Sequence, residues 1–377
     1  MFCAVRQDRV PPWWPPLAAA DPVYSDPRWL ELFAGSRGET GTWWFGAGRG
    51  AEPEIGLRGT LVGAGTRKSM NPYRWLFERT GYHDREPLDA AAAPRPEAWF
   101  PALLCSYPGL DTYPVGAGDD PELVRELLAG LAGWAARRGL ATVVVGFVQP
   151  ERHPLATGAA AAGYAALPVA TRSNLPLAGR TAAEVFGSFS GQQRNNLRRL
   201  RKRLAARGIG VEVVPDPLAD LDTLVELRCA HARQHGKEPD PAEERSWLGP
   251  LLAGLGERVT VFGATNGDLD GDPGGPGGLG GGSRLRAFSL FVDDGRWWTA
   301  FAVARRDPAD DRDVYFELMY HTPIEHAAAA GVAEIAFGYG TEEAKRRRGC
   351  VQVTVPALVY GVAPEVRAWA HATAAGR

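Results

Sequence analysis

Cysteine and methionine are scarce in this chain, with four and three residues among 377. The cysteines, Cys3, Cys105, Cys229 and Cys350, stand far apart and form no C-x-x-C pair. That spacing argues against a zinc site or a disulfide framework and fits a reducing compartment. Long apolar runs are missing too: none approaches membrane-spanning length. The opening MFCAVRQDRVPPWWPP puts prolines and tryptophans where a signal peptide would carry its apolar core. A cytoplasmic protein without membrane association is therefore expected. Neither sign of charge dominates, the net charge being −2, and 45% apolar against 23% charged residues is the profile of a folded chain rather than a disordered one. At 377 residues it exceeds what one core serves, so two domains are expected.

The positive charge is unevenly spread. Gly187 to Val211 holds seven Arg or Lys residues and no acid. Within it Leu197, Leu200 and Leu204 fall on one stripe, with Arg194, Arg198 and Arg201 at i, i+4 and i+7 alongside, which predicts an amphipathic helix over Ser188 to Arg207. A solvated linker helix between two domains is one reading of such a segment. The other is a phosphate-binding surface, because guanidinium forks match phosphate oxygens and the uncompensated charge produces a strong local field. Arg194, Arg198, Arg201 and Lys202 are its candidate residues. No zinc-finger spacing or RNA-recognition signature accompanies them, so sequence-specific DNA binding is not expected. An Ala-, Gly-, Arg- and Pro-rich composition suggests a G·C-rich genome, which discounts raw arginine counts.

The first half reads as strands at Gly41 to Phe45, Ile55 to Val62 and Ala102 to Cys105. A helix follows Asp119-Asp120-Pro121, which supplies an N-cap and a first-turn proline, and Gly139 stops it. Five of the seven residues in Thr142 to Val148 are β-branched, as in a strand buried on both faces. A short helix over Pro154 to Gly163 and a strand over Ala165 to Leu177 complete this half, with an irregular insertion over Arg67 to Pro101. After Gly210 the expected order is a strand at Val211 to Val214, helices at Pro217 to His235 and Pro241 to Leu255, and a strand at Val259 to Ala264. A hairpin at Arg286 to Arg305 turns at Asp293-Asp294-Gly295. Val314 to Tyr320 reads as a strand, Pro323 to Ala330 as a helix ended by Gly331, Ala333 to Gly338 as a strand, Thr341 to Arg348 as a helix and Val351 to Val355 as a strand. Residues 266–283 are dominated by Gly, Asp and Pro, predict a disordered loop, and lack the spacing of a phosphate loop. Gly65-Thr-Arg-Lys68-Ser69 fails the same test, because its lysine does not follow its glycine.

The run Ser188-Phe-Ser190, Arg194, Leu197-Arg198-Arg199 and Arg203 resembles the linker segment of Fem-type peptidoglycan aminoacyl transferases. Phe316-Glu317-Leu-Met-Tyr320-His321-Thr-Pro-Ile324-Glu325, then Phe337-Gly-Tyr339-Gly340, Glu343-Ala-Lys345 and Arg348-Gly349, is similar to the GNAT-like family of peptidoglycan biosynthesis and recognition proteins. Members of that family run F-E-x-x-Y-Y, P-I-E, G-A-Q-G-E-x-K and x-x-R-G. The likeness covers roughly Ser188 to Pro356 and is vaguer before it. Tyr339 stands where the family has Gln and His321 where it has a second Tyr, so substrate choice is expected to differ. The element order after Gly210 is also that of the GNAT fold. The expectation is thus an α/β (α+β) protein of two tandem GNAT-like domains, each a central mixed sheet flanked by helices: 1–180, a basic linker helix 181–208, and a catalytic 209–377.

The resemblance implies transfer of an acyl group to an amine, hydroxylamine, hydroxyl or peptide-like acceptor, with relatives in cell-wall and antibiotic biosynthesis that draw amino acids from aminoacyl-tRNA. Such a transfer needs a base for the nucleophile and a donor for the carbonyl oxygen. Glu317 is the candidate base, expected in an apolar cleft with a raised pKa; the alternative is a salt bridge to a neighbouring arginine. Tyr320, three residues along the same strand, faces away from Glu317 unless a bulge intervenes, and is either a proton donor or a packed tyrosine. By resemblance Lys345 is the oxyanion stabiliser; the alternative is a cation favourably placed at a helix C-terminus. The same blocks make His321, Glu325, Tyr339 and Arg348 substrate-binding candidates. No metal is expected, since the His321 to His326 spacing does not share a helical face. No triad order or G-x-S-x-G turn supports Cys350 or a serine as nucleophile. No cofactor is implied beyond acyl-CoA as an alternative co-substrate. Its usual diphosphate loop has no counterpart in Tyr320-His-Thr-Pro-Ile324, which lacks glycine, and Gly116-Ala-Gly118 leads to two aspartates that would repel a diphosphate. That moves the expected donor from acyl-CoA towards aminoacyl-tRNA. A non-catalytic binding protein on the same fold is the competing class.

Overall fold

The computed structural model describes residues 1–7, 9–19, 21–33, 41–79, 86–109, 111–148, 155–266, 285–294, 297–306 and 312–376. The expected loop at 266–283 lies outside them from residue 267 onward. Two compact units emerge: one comprises 1–172, 339–342 and 352–377, the other 173–338 and 343–351. Both are mixed α/β. The basic helix belongs to the second unit rather than standing as a separate linker, and the C-terminal 26 residues fold with the first. The expected boundaries at 181 and 209 miss this, because a chain that returns to its first unit leaves no composition shift to read.

In the first unit the strands are β1 (Phe2–Arg6), β2 (Thr42–Ala47), β3 (Ile55–Val62), β4 (Ala102–Cys105), β5 (Val115–Gly116), β6 (Thr142–Val145), β7 (Ala165–Pro176, to residue 172) and β13 (Val351–Gly361, from residue 352). They lie in the order β1-β2-β3-β4-β6-β13-β7, with β5 on β3. β1 to β4 pair antiparallel, β4 and β6 parallel, and β6 pairs antiparallel with β13. The helix Pro121–Arg137 starts as its sequence demands: the Asp120 carboxylate accepts from the N–H groups of Glu122 and Leu123, and Pro121 fills the first turn. Its buried stripe of Leu123, Leu127, Leu128 and Leu131 covers this core. The described residues of the predicted irregular insertion include a short α-helix, Pro72–Phe77, and 3-10 turns at Lys68–Met70, Ala90–Ala92 and Pro96–Trp99.

The second unit carries β8 (Ile209–Val213), β9 (Val259–Asn266), β10 (Leu285–Asp293), β11 (Trp297–Arg305) and β12 (Glu334–Tyr339, to residue 338), in the order β12-β11-β10-β9-β8. Pairing is antiparallel from β8 to β11 and parallel between β11 and β12. Helices Leu221–Gln234 and Pro241–Leu255 follow β8 as expected. The basic helix spans Gly191–Ala206. Ser190 and Gln193 close a capping box at its start, and Leu197, Leu200 and Leu204 are buried. Each such leucine contributes about 1.5–3 kcal/mol of burial, which docks the helix on the core and decides which of its basic residues face inward.

One predicted strand is a helix. Val314 to Tyr320 lies in a continuous helical run from Arg312 to Ala329, made of α-helix (Arg312–Phe316), a wide π turn (Glu317–His321) and α-helix again (Thr322–Ala329). The aromatic and branched residues there suit a strand by propensity, but burial at helical spacing wins: Val314, Leu318, Ile324 and Ala327 are fully buried. Pro323 accounts for the wide turn, since it has no N–H for the carbonyl four residues back and its ring crowds that carbonyl. Register breaks in this sheet fall instead on β10, between Leu290 and Phe291 against β11 and between Leu285 and Ala287 against β9. Gly331, at φ 74°, ends the helical run as expected. Among the described residues no helix is long and apolar enough to cross a membrane.

Candidate active site

The π turn decides which side chains meet. With more than four residues per turn, His321 and Thr322, at i+4 and i+5, both come back over Glu317. His321 Nδ1 lies 3.0 Å from Glu317 Oε2, and the Thr322 hydroxyl donates to Oε1 at 3.2 Å. Ser289 of β10 donates to the Leu318 carbonyl at 2.7 Å, so the turn is tied to the sheet below it. From the basic helix Arg201 donates to Glu317 Oε1 through Nε at 3.0 Å and Nη2 at 2.8 Å. It also forms a two-pronged pair with Glu325 at 2.9 and 3.0 Å.

Glu317 is buried with four donors or ring partners around its two oxygens. Burial alone would push its carboxyl up, but the hydrogen bonds from His321 and Arg201 and their charge outweigh it, and the pKa lies below the ordinary value. The expected raised pKa is therefore reversed. Glu317 is a saturated anion and an orienting group, and the salt bridge weighed as its alternative is what the structure contains. A carboxylate on Nδ1 selects the tautomer that carries its proton there, leaving Nε2 as an acceptor. Among the described residues nothing hydrogen-bonds to that second nitrogen.

His321 lines a cleft of about 510 Å³ in the second unit. Phe189, Leu197, Leu200 and Phe316 supply its apolar wall, and Gln193 and Asn196 of the basic helix its polar edge. Four arginines enter the lining: Arg203, Arg312, Arg347 and Arg348. Arg203 is paired with Asp313 at 2.6 and 2.8 Å, and Arg347 with Glu343 at 2.9 Å. Arg348 lies over the rings of Phe316 and Tyr320 at 4.1 and 4.8 Å, and Arg312 over Phe316 at 5.6 Å. The volume suits a small molecule and the lining is amphipathic, as in small-molecule sites generally. Chemically the arrangement offers the His321 imidazole as a proton acceptor, the Arg203-paired carboxylate of Asp313, an aromatic shelf and cationic groups.

The other predicted residues are placed as follows. Tyr320 is buried, packs at a tilt against Phe337 with ring centroids 4.7 Å apart, shares a hydrogen bond with Tyr315 and does not line the cleft; burial pushes its hydroxyl up. Lys345 is buried, donates to the Gly338 carbonyl at 3.2 Å and is also absent from the lining. Tyr339 sits in the first unit against Phe147, with ring centroids 5.9 Å apart. Glu325 is half-exposed on the far side of Arg201. Burial pushes the Cys350 thiol up to about 12, which keeps it protonated. Of the proposed phosphate contacts, Arg201 is committed to its two carboxylates. Arg194 caps the carbonyls of Gly187 and Phe189, and Arg198, bonded to Asn195 Oδ1 at 2.8 Å, stays exposed with Lys202. Sequence reasoning missed Arg312, Asp313, Gln193 and Asn196. They lie outside the motif blocks, although Asp313 and Arg203 were legible as opposite charges once Val314 to Tyr320 is read as helical.

Residues 191–346 match the model of the acetyltransferase (GNAT) domain family. This segment is similar to a GNAT domain. It contains the basic helix, the Glu317 network and most of the cleft. FemX shares the fold across both units, with a TM-score of 0.58 at 13% identity over 89% of this chain and 91% of that one. The C-terminal domain of a putative lysylphosphatidylglycerol synthetase from Agrobacterium fabrum aligns at TM-score 0.49 and 16% identity, over 72% and 82% of the two chains. A tandem GNAT protein from the clavulanic acid biosynthesis pathway aligns at 0.41 and 13%, over 97% and 99%. No curated protein sequence matches the chain.

Proposed function

We propose that the GNAT-like domain transfers an acyl group, carried as an aminoacyl ester on tRNA, to an amine of a small or peptide-like acceptor held in the cleft beside His321. The observation that carries this reading is the Glu317–His321 pair at the cleft wall. His321 Nε2 takes the proton from the attacking nitrogen as the bond to the acyl carbon forms, and the tRNA ribose oxygen leaves with the bonding pair. Glu317, held ionised by Arg201, keeps the imidazole oriented and stabilises its protonated form, so it is a positioning residue. Two features support tRNA over acyl-CoA. The basic helix leaves Arg198, Arg199 and Lys202 exposed on one face, opposite its buried leucines. Residues 320–324 lie inside a helix, where backbone N–H groups are spent on helix bonds rather than open to a diphosphate.

The test is single-turnover transfer by the purified full chain, with aminoacyl-tRNA pools and acyl-CoA offered separately and amines supplied as acceptors. Wild type is expected to transfer from aminoacyl-tRNA. His321→Ala should lose about 10²–10⁴-fold, and Glu317→Gln should lose less while shifting the pH profile. Turnover with acyl-CoA alone would reassign the donor. Wild type as inactive as His321→Ala with every donor would establish a non-catalytic binding protein.

A further inference from the structure

The four arginines of the cleft are not equivalent. Arg203 and Arg347 have carboxylate partners, Asp313 and Glu343. Among the described residues no carboxylate pairs with Arg348, which is half-buried and donates only to the Ala344 carbonyl of its own turn. Arg312 approaches the same ring, Phe316, and the two guanidiniums are near enough for their like charges to repel. Burial holds the Arg348 pKa below its ordinary value, so the site is costly for a cation as it stands. A helix C-terminus and two aromatic faces offset part of that cost. Neither explains why a second cation points at the same ring.

We infer that the cleft recognises an anionic group, a carboxylate or phosphate, on the acceptor, through Arg348 with Arg312 beside it and Phe316 beneath. The inference rests on the proposed transfer only for the word acceptor; the anion site itself is independent of it. Guanidinium forks bind both oxyanions in two-pronged geometry, and a partly desolvated site strengthens each such bond. Phe189, Leu197 and Leu200 then face the acceptor's apolar part, and an amine on the same molecule reaches His321.

Titration calorimetry on the full chain, with inorganic phosphate and with succinate as probes, tests this. Saturable binding of at least one probe is expected, and the tighter one identifies the oxyanion. Arg348→Ala should weaken it about tenfold or more, Arg348→Lys should restore part of the loss, and His321→Ala should leave it unchanged. An absence of saturable binding by either probe would overturn the inference. So would binding that survives Arg348→Ala, or that disappears on replacing Arg198 and Lys202 with alanine, which would put the anion on the basic helix. Loss of transfer in His321→Ala with intact probe binding separates the two proposals.

Discussion

Arg201 and Arg348 are the two half-buried arginines around His321, and the fold treats them in opposite ways. Arg201 meets Glu317 and Glu325 with every distance between 2.8 and 3.0 Å, so its charge is fully used inside the protein. Arg348 rests on aromatic rings with no carboxylate among the described residues. A cation that is neutralised internally holds a site together; one that is desolvated and left unneutralised is available to a ligand. The difference separates architecture from recognition within one cleft, and three measurements sharpen or break it beyond the assays already named.

The largest expected effect is on stability. Arg201→Ala strands Glu317 in the interior with only His321 and Thr322 as partners, and should cost about 2 kcal/mol. That is below the range for fully buried pairs because the Arg201 side chain is 40% exposed. Arg348→Ala removes its ring contacts and one hydrogen bond to the Ala344 carbonyl, and should cost about 1 kcal/mol. Urea unfolding of both variants checks the contrast. Equal losses would mean that Arg348 is as structural as Arg201.

A smaller effect appears in acid. The folded pKa of Glu317 lies below the ordinary 4.5, so the unfolded chain binds more protons as pH falls. Its stabilisation is complete above that value and is lost as pH drops through the folded pKa. Glu317→Gln should therefore be less stable than wild type at neutral pH, with the gap narrowing below about pH 4.5. A gap independent of pH would show that the amide's altered shape, not the missing charge, matters at this position.

Strands β3, β4 and β11 and the helix Pro241–Leu255 lie where the residues alone put them, because alternation, capping aspartates and prolines are local signals. The motif blocks around Glu317 were legible as well. Their geometry was not, because Val314 to Tyr320 is apolar at both strand and helix spacing, and only burial against β10 decides between them. With the strand assumed, Glu317 and Tyr320 point to opposite faces and His321 cannot reach Glu317; with the π turn, His321 becomes the group at the cleft. The same error hid Arg201. Its partners lie more than a hundred residues away, and no periodicity in the basic helix distinguishes it from Arg198 or Lys202.

That last distinction leads to the smallest expected effect. Arg198 and Lys202 are exposed and one turn apart, on the side of the basic helix away from Leu197, Leu200 and Leu204. If this face meets the tRNA backbone, affinity falls steeply with added salt, because each neutralised phosphate releases counterions. Replacing both residues with alanine should lower the slope of log K against log salt by about two, and weaken binding alike for every tRNA. Arg201→Ala should leave the slope where it was, since a guanidinium held by two carboxylates releases no counterion on binding. A slope that falls in Arg201→Ala and not in the double variant would reverse the assignment of inner and outer charges. The phosphate-facing role would then return to the residue that the folded structure spends on Glu317.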